Sequence, residues 1–179
     1  MPKYIALLRA VNVSGVRIIK MEDLRRMFAE MGFTNVATYI QSGNIVFDAA
    51  ARKEETVRDK VAQGLHEKLG YEVEVIIRTP AAMQEVLDHF PFKTEADNRE
   101  VKLYVGFLDA VPGDEAHARL QAFDTPLEQY RFRGRELYVL IHKHEGKVWF
   151  SNNFIEQKLK LRATTRNWNT CNKLVEMCR

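Results

Sequence analysis

The feature that most constrains this chain is a hydrophobic period that switches repeatedly between two and about 3.6, the repeats of a strand and a helix. Tyr4 to Ala10 is an apolar run that reads as a strand. After a loop holding Gly15, Met21, Leu24, Met27, Phe28 and Met31 recur at spacings of three and four, which predicts an amphipathic helix ended by Gly32. Val36 to Ile40 and Ile45 to Phe47 are strand-like and bracket Gln41-Ser42-Gly43-Asn44 as a tight turn. Val57, Val61, Leu65 and Leu69 set a second helix over 53–69, closed by Gly70, and residues 72–78 alternate charged and apolar. The order is β-α-β-β-α-β, that of a ferredoxin-like unit.

A related order follows. Thr79 and Pro80 form a capping start for a helix over 81–89. Residues 91–100 are polar and serve as the linker. Beyond it come a strand over 101–108, a helix over 114–123 and a hairpin of 127–132 with 137–141, turned at Gly134. Helices over 154–161 and 169–177 complete the chain. Nothing repeats at the residue level, so the duplication is architectural. The predicted fold is α+β: two ferredoxin-like (βαββαβ-type) subdomains packed into one body, with a C-terminal helix. The first subdomain and its connecting helix take 1–90, the linker 91–100, and the second subdomain 101–179.

Composition removes several classes of function. Of 179 residues, 46% are hydrophobic and 28% charged, as in an ordinary globular protein. There is no apolar run of about 18 residues to span a bilayer. The first residues lack the apolar core and cleavage site of a secretory leader, so a cytoplasmic protein is expected. Cys171 and Cys178 lie seven residues apart on one predicted helix, about 10 Å of rise, too far for a disulfide. A net charge of +3 and a pI near 8.8 permit a nucleic-acid partner without implying one.

The densest chemistry is Thr164-Thr165-Arg166-Asn167-Trp168-Asn169-Thr170, placed at the start of the last helix. A helix start needs one capping residue, and here hydroxyls, amides, an indole and a guanidinium crowd together. Arg166 offers a planar fork suited to phosphate or carboxylate, and Trp168 a ring that stacks or plugs. From Glu156 onward six basic side chains oppose two acidic ones. Two readings stand: an anion site, or a latch in which Trp168 fills a gap while the asparagines cap the helix.

These residues resemble a known family. YIALLRAVNVSG, KMEDLRRMFAEMGFTNVATYIQSGNIVF and ATTRNWNT are similar to the signature segments of the bacterial family known as domain of unknown function 1697, over essentially the whole chain. The resemblance implies paired ferredoxin-like subdomains and brings no established activity. Family members often carry glycines after the first strand, as in GINVGG. Here Ala10, Val11 and Ser14 stand in their place, leaving Gly15.

Two further segments are candidates for a site. The loop from Arg9 through Asn12, Ser14 and Gly15 leads from strand to helix, a geometry that offers backbone N–H groups to an anion, although no GxGxxG or Walker pattern is present. Gln41, Ser42 and Asn44 flank a turn glycine, and their polar groups suit either a plain hairpin turn or a ligand contact. His142 and His144 alternate as two metal ligands would but lack a third, so no metal is expected. His66, His89 and His117 read as solvent-facing, and Phe90, Phe92, Phe107, Tyr138 and Trp149 as core. Cys171 lies where a helix N-terminus would lower its pKa, but no partner base is evident.

No cofactor fingerprint and no catalytic set emerge, which leaves open whether the protein is an enzyme. The expected function is binding of a small anionic ligand, phosphorylated or nucleotide-like, by Arg9, Asn12, Ser14, Gly15, Gln41, Ser42, Asn44, Arg166, Asn167, Trp168 and Asn169. The alternatives are a single-stranded nucleic-acid module and an enzyme acting on a phosphorylated or carboxylated metabolite.

Overall fold

The computed structural model describes residues 1–12, 15 and 18–179. By contacts the chain divides into two compact units, Met1–Glu85 with Asn172–Arg179, and Val86–Cys171.

In the first unit β1 (Lys3–Leu8), α1 (Met21–Glu30), β2 (Thr34–Tyr39), β3 (Asn44–Asp48), α2 (Glu54–Leu69) and β4 (Val75–Arg78) follow in the expected order. The sheet runs β2-β3-β1-β4 and every pairing is antiparallel. β1 and β3 are the central neighbours, as the ferredoxin-like arrangement requires. One face is built by periodicity: Tyr4, Ala6 and Leu8 of β1 with Ile45 and Phe47 of β3 meet Leu24 and Phe28 of α1 and Val57, Val61 and Leu65 of α2. Phe28 and Phe33 meet Phe47 at centroid distances of 5.1 and 4.7 Å, and truncating such a buried ring costs about 3–5 kcal/mol. The opposite face is buried as well, with Ile5, Leu7 and Val46 all at 2% exposure or less.

Capping follows local chemistry. Thr79 Oγ1 accepts from the Ala82 N–H (3.1 Å) at the head of α3 (Pro80–Asp88), and Gly70 ends α2 in the left-handed conformation. The segment over 72–78 forms a ladder only from Val75. Glu74 instead accepts the Arg9 backbone N–H beyond the end of β1.

The second unit contains β5 (Val101–Leu108), α4 (Asp114–Gln121), β6 (Glu128–Arg133), β7 (Glu136–His142), α5 (Asn152–Lys158) and β8 (Ala163–Asn167), preceded by a short 3-10 turn over Lys93–Glu95 within the polar 91–100 stretch. Its sheet, β6-β7-β5-β8, repeats the order and antiparallel pairing of the first. α6 (Trp168–Glu176) ends the chain. The fold is thus two ferredoxin-like units with a C-terminal helix, and two local expectations are corrected. Residues 163–167 are a strand that completes the second βαββαβ set, because threonines and an extended arginine pair along β5. Trp149 is 42% exposed and is not core.

Candidate functional site

β8 is short, and its period of two sorts the polar cluster onto two faces. Thr164 and Arg166 point to one side, Thr165 and Asn167 to the other. The Arg166 guanidinium is buried and donates to Thr164 Oγ1 (2.7 Å) and the Thr165 carbonyl (2.8 Å). Burial pushes its pKa down to about 10, partly opposed by the neighbouring Cys171. Burial likewise pushes the Cys171 thiol up to about 12, overriding the lowering expected from a helix N-terminus. Both groups lie inside the protein.

Asn167 is exposed and caps α6, its Oδ1 accepting from the Thr170 N–H at 2.8 Å. That bond uses the amide oxygen. Trp168, the first residue of α6, is half-buried with one side against Phe90, centroids 4.3 Å apart and planes 32° from parallel. The helix turn then presents Asn169, which is exposed.

Asn167, Trp168 and Asn169 line a single cleft of about 310 Å³ with the first residues of β5 (Val101, Lys102, Leu103, Tyr104) and with Glu95 and Ala96 of the 3-10 turn. The register explains the assembly. Tyr104 is paired with Asn167 across the β5–β8 ladder, so Lys102, two residues earlier on the same face, projects beside the amides. Lys102 is exposed and Tyr104 half-buried against Phe150 (5.2 Å between centroids). The cleft therefore offers one cation, one carboxylate, two amides and two aromatic rings. Lys102, Tyr104 and Glu95 are not among the residues predicted from sequence, and Arg166 is absent from the lining.

In the first unit the predicted residues are engaged locally. Asn12, at φ +56°, acts as a clasp: its Nδ2 donates to the Ile19 carbonyl (2.9 Å) and its Oδ1 accepts from the Ile19 N–H (2.6 Å). Arg9 forms an ion pair with Glu74 at 2.6 Å beside a small polar recess lined by Arg9, Ala10, Glu72 and Glu74. Gly15 has φ +74° and open space around it, and Ser14 lies outside the described residues. Asn44, fully buried, donates to the Tyr39 carbonyl (3.1 Å) and to Ser42 Oγ (2.8 Å), while Gln41 is exposed. The β1 terminus and the β2–β3 turn do meet, since the Leu8 N–H donates to the Gly43 carbonyl at 2.8 Å.

The rim after β7 is organised by a buried carboxylate. Glu128 accepts from the Tyr130 hydroxyl (2.5 Å) and from the Trp149 and Phe150 N–H groups (3.0 and 3.3 Å). His144 Nδ1 accepts from the Gly146 N–H, and its Nε2 lies 3.9 Å from Glu128. Among the described residues no group of three His, Cys, Asp or Glu is placed to hold a metal ion, and no helix is long and apolar enough to cross a membrane.

Comparison with known proteins agrees with the fold. A solved structure, that of the conserved bacterial protein SP0830 from Streptococcus pneumoniae, matches over 99% of both chains with a TM-score of 0.76 at 20% identity. At that identity the likeness concerns architecture. A search of curated proteins gives no match. A family model described as protein of unknown function, DUF1697, matches residues 1–138, more than half of the chain. The chain accordingly belongs to the DUF1697 family.

Proposed function

We propose that the protein binds a small anionic ligand carrying a planar ring, of nucleotide type, in the cleft between the start of β5 and the start of α6. The observation that carries this reading is the convergence of Lys102, Tyr104, Asn167, Trp168 and Asn169 on that one cleft. Each group has a matching task. A half-buried indole supports a ring by stacking, worth about 1–3 kcal/mol for a base on an aromatic side chain. Side-chain amides read the edge of a base through paired donors and acceptors. Lys102 supplies the positive point charge that a phosphate needs. The Glu95 carboxylate, an acceptor only, suits sugar hydroxyls.

Arg166 contributes differently from the sequence expectation. Held under the strand by Thr164 and the Thr165 carbonyl, it fixes the segment from which Asn167 and Trp168 project. A nucleic-acid reading of the sheet itself is disfavoured. The face on which ferredoxin-like sheets stack RNA bases carries Leu103, Val105, Phe107 and Tyr138 here, each at most 7% exposed.

The test is thermal unfolding with a panel of nucleosides, nucleotides and phosphosugars, on the wild type and Lys102→Ala. A ligand at about 100 times its Kd adds roughly 2.7 kcal/mol, which is about 5–10 °C in a chain of this size. Lys102 is exposed, so its variant should melt with the wild type when unliganded and lose most of the ligand-induced shift. A panel that shifts neither protein overturns the proposal.

A further inference from the structure

A second cleft adjoins the first. Of about 310 Å³, it is lined by Lys102, Tyr104, Ile141, His142, Lys143, His144, Val148 and Phe150. The two clefts share Lys102 and Tyr104, and the ladder shows how. β5 lies between β8 and β7, with Tyr104 paired to Asn167 on one side and Lys102 paired to Ile141 on the other. With two lining residues in common, the pair spans three strands at one end of the sheet, about 10 Å over two strand spacings, and together offers the outline of a trough.

The two halves differ in charge. The α6 side holds both exposed amides, the half-buried Trp168 and the one carboxylate, Glu95. The β7 side has no carboxylate in its lining and adds Lys143 and His142 to the shared Lys102. His144 also lines it, but its ring nitrogens face Gly146 and Glu128. Lys143 is 3.7 Å from Glu100 in an ion pair whose side chains are 52% and 74% exposed. Such a pair contributes little and is readily exchanged for a phosphate.

Resting on the nucleotide reading of the first cleft, we infer that the trough takes a nucleoside polyphosphate in one direction, its base on Trp168 and its phosphate chain running over Lys102 to Lys143 and His142. A pocket of about 300 Å³ is at the lower limit for a small-molecule site, whereas the joined trough falls within the usual range of about 300–1,000 Å³. Polarity sets the direction. An elongated anion places its charged end where the cations are and the carboxylate is not, and its uncharged ring where the indole and amides are.

The experiment is a calorimetric titration with adenosine, AMP, ADP and ATP, and the guanosine equivalents, at fixed low salt, on the wild type, Lys143→Ala and Lys102→Ala. Affinity should rise along the series, by about tenfold from nucleoside monophosphate to triphosphate. Lys143→Ala should abolish that rise while leaving monophosphate binding within about twofold. Lys102→Ala should weaken every phosphorylated member. Equal affinity for AMP and ATP, or loss of AMP and ATP binding in parallel in Lys143→Ala, overturns the inference while leaving the first cleft standing. No binding by any member overturns the first cleft, and the inference with it.

Discussion

Gly43 offers a test of how closely the end of β1 and the β2–β3 turn are fitted. Its φ is +73°, and a Cβ added there would sit 2.8 Å from Leu8 Cβ and 3.3 Å from the Leu8 carbonyl oxygen. Leu8 is 1% exposed and its N–H donates to the Gly43 carbonyl, so neither chain retreats without losing that bond. Gly43→Ala therefore carries about 1 kcal/mol for the left-handed backbone and about 2 kcal/mol for the overlap, near 3 kcal/mol in all. Gly70 is the control: at φ +77° with nothing within 4 Å, Gly70→Ala carries the backbone cost alone, about 1 kcal/mol. Urea unfolding followed by circular dichroism measures both. In thermal melts the losses are about 9 °C and about 3 °C. Equal losses for the two variants would show that the turn is not packed against Leu8.

Further expectations concern the loop, the rim and pH. Asn12→Ala removes both bonds to Ile19 and should cost about 2 kcal/mol in the same urea experiment, with Asn12→Asp recovering the Oδ1 half. Glu128→Ala strands the Trp149 and Phe150 N–H groups and the Tyr130 hydroxyl, for a loss of about 3 kcal/mol and a shift in Trp149 emission. Burial pushes the Cys171 thiol from 9.0 up to about 12, so it should resist alkylation in the native protein and react on unfolding. Because its folded pKa is raised, its share of stability is whole below about pH 9 and is lost as pH climbs from 9 towards 12, visible as a falling urea midpoint in wild type that is damped in Cys171→Ala.

The fold was legible wherever burial imposes a period. α1 announces itself through Leu24 and Phe28, β5 through an eight-residue stretch that is apolar apart from Lys102, and Gly32, Gly70 and Gly134 mark chain reversals at positive φ. β8 was hidden because Thr164-Thr165-Arg166-Asn167 has no apolar alternation. Its inward residues are a threonine and an arginine, and its polarity resembles a cap. That omission concealed how the cleft is lined. Lys102 and Tyr104 are visible in the sequence as one face of VKLYVGFL, but only the β5–β8 pairing places that face beside Asn167. Asn167, Trp168 and Asn169, singled out for their chemistry, line the cleft together. The burial of Arg166 was not legible for a related reason: which way a strand residue points is settled only once its partner strand is known. The Asn12 clasp and the Asn44 turn bonds show that polar density at a loop also arises from the backbone's own need for partners.

In the proposed site Trp168 and Lys102 face one ligand. The protein has two tryptophans, and Trp149→Phe leaves Trp168 as the only indole reporter. Titrating that variant with AMP and ATP while following indole fluorescence should give a saturable change, and adding Lys102→Ala should move its midpoint about tenfold higher. A flat titration with both nucleotides, or a change that is indifferent to Lys102, would contradict the account.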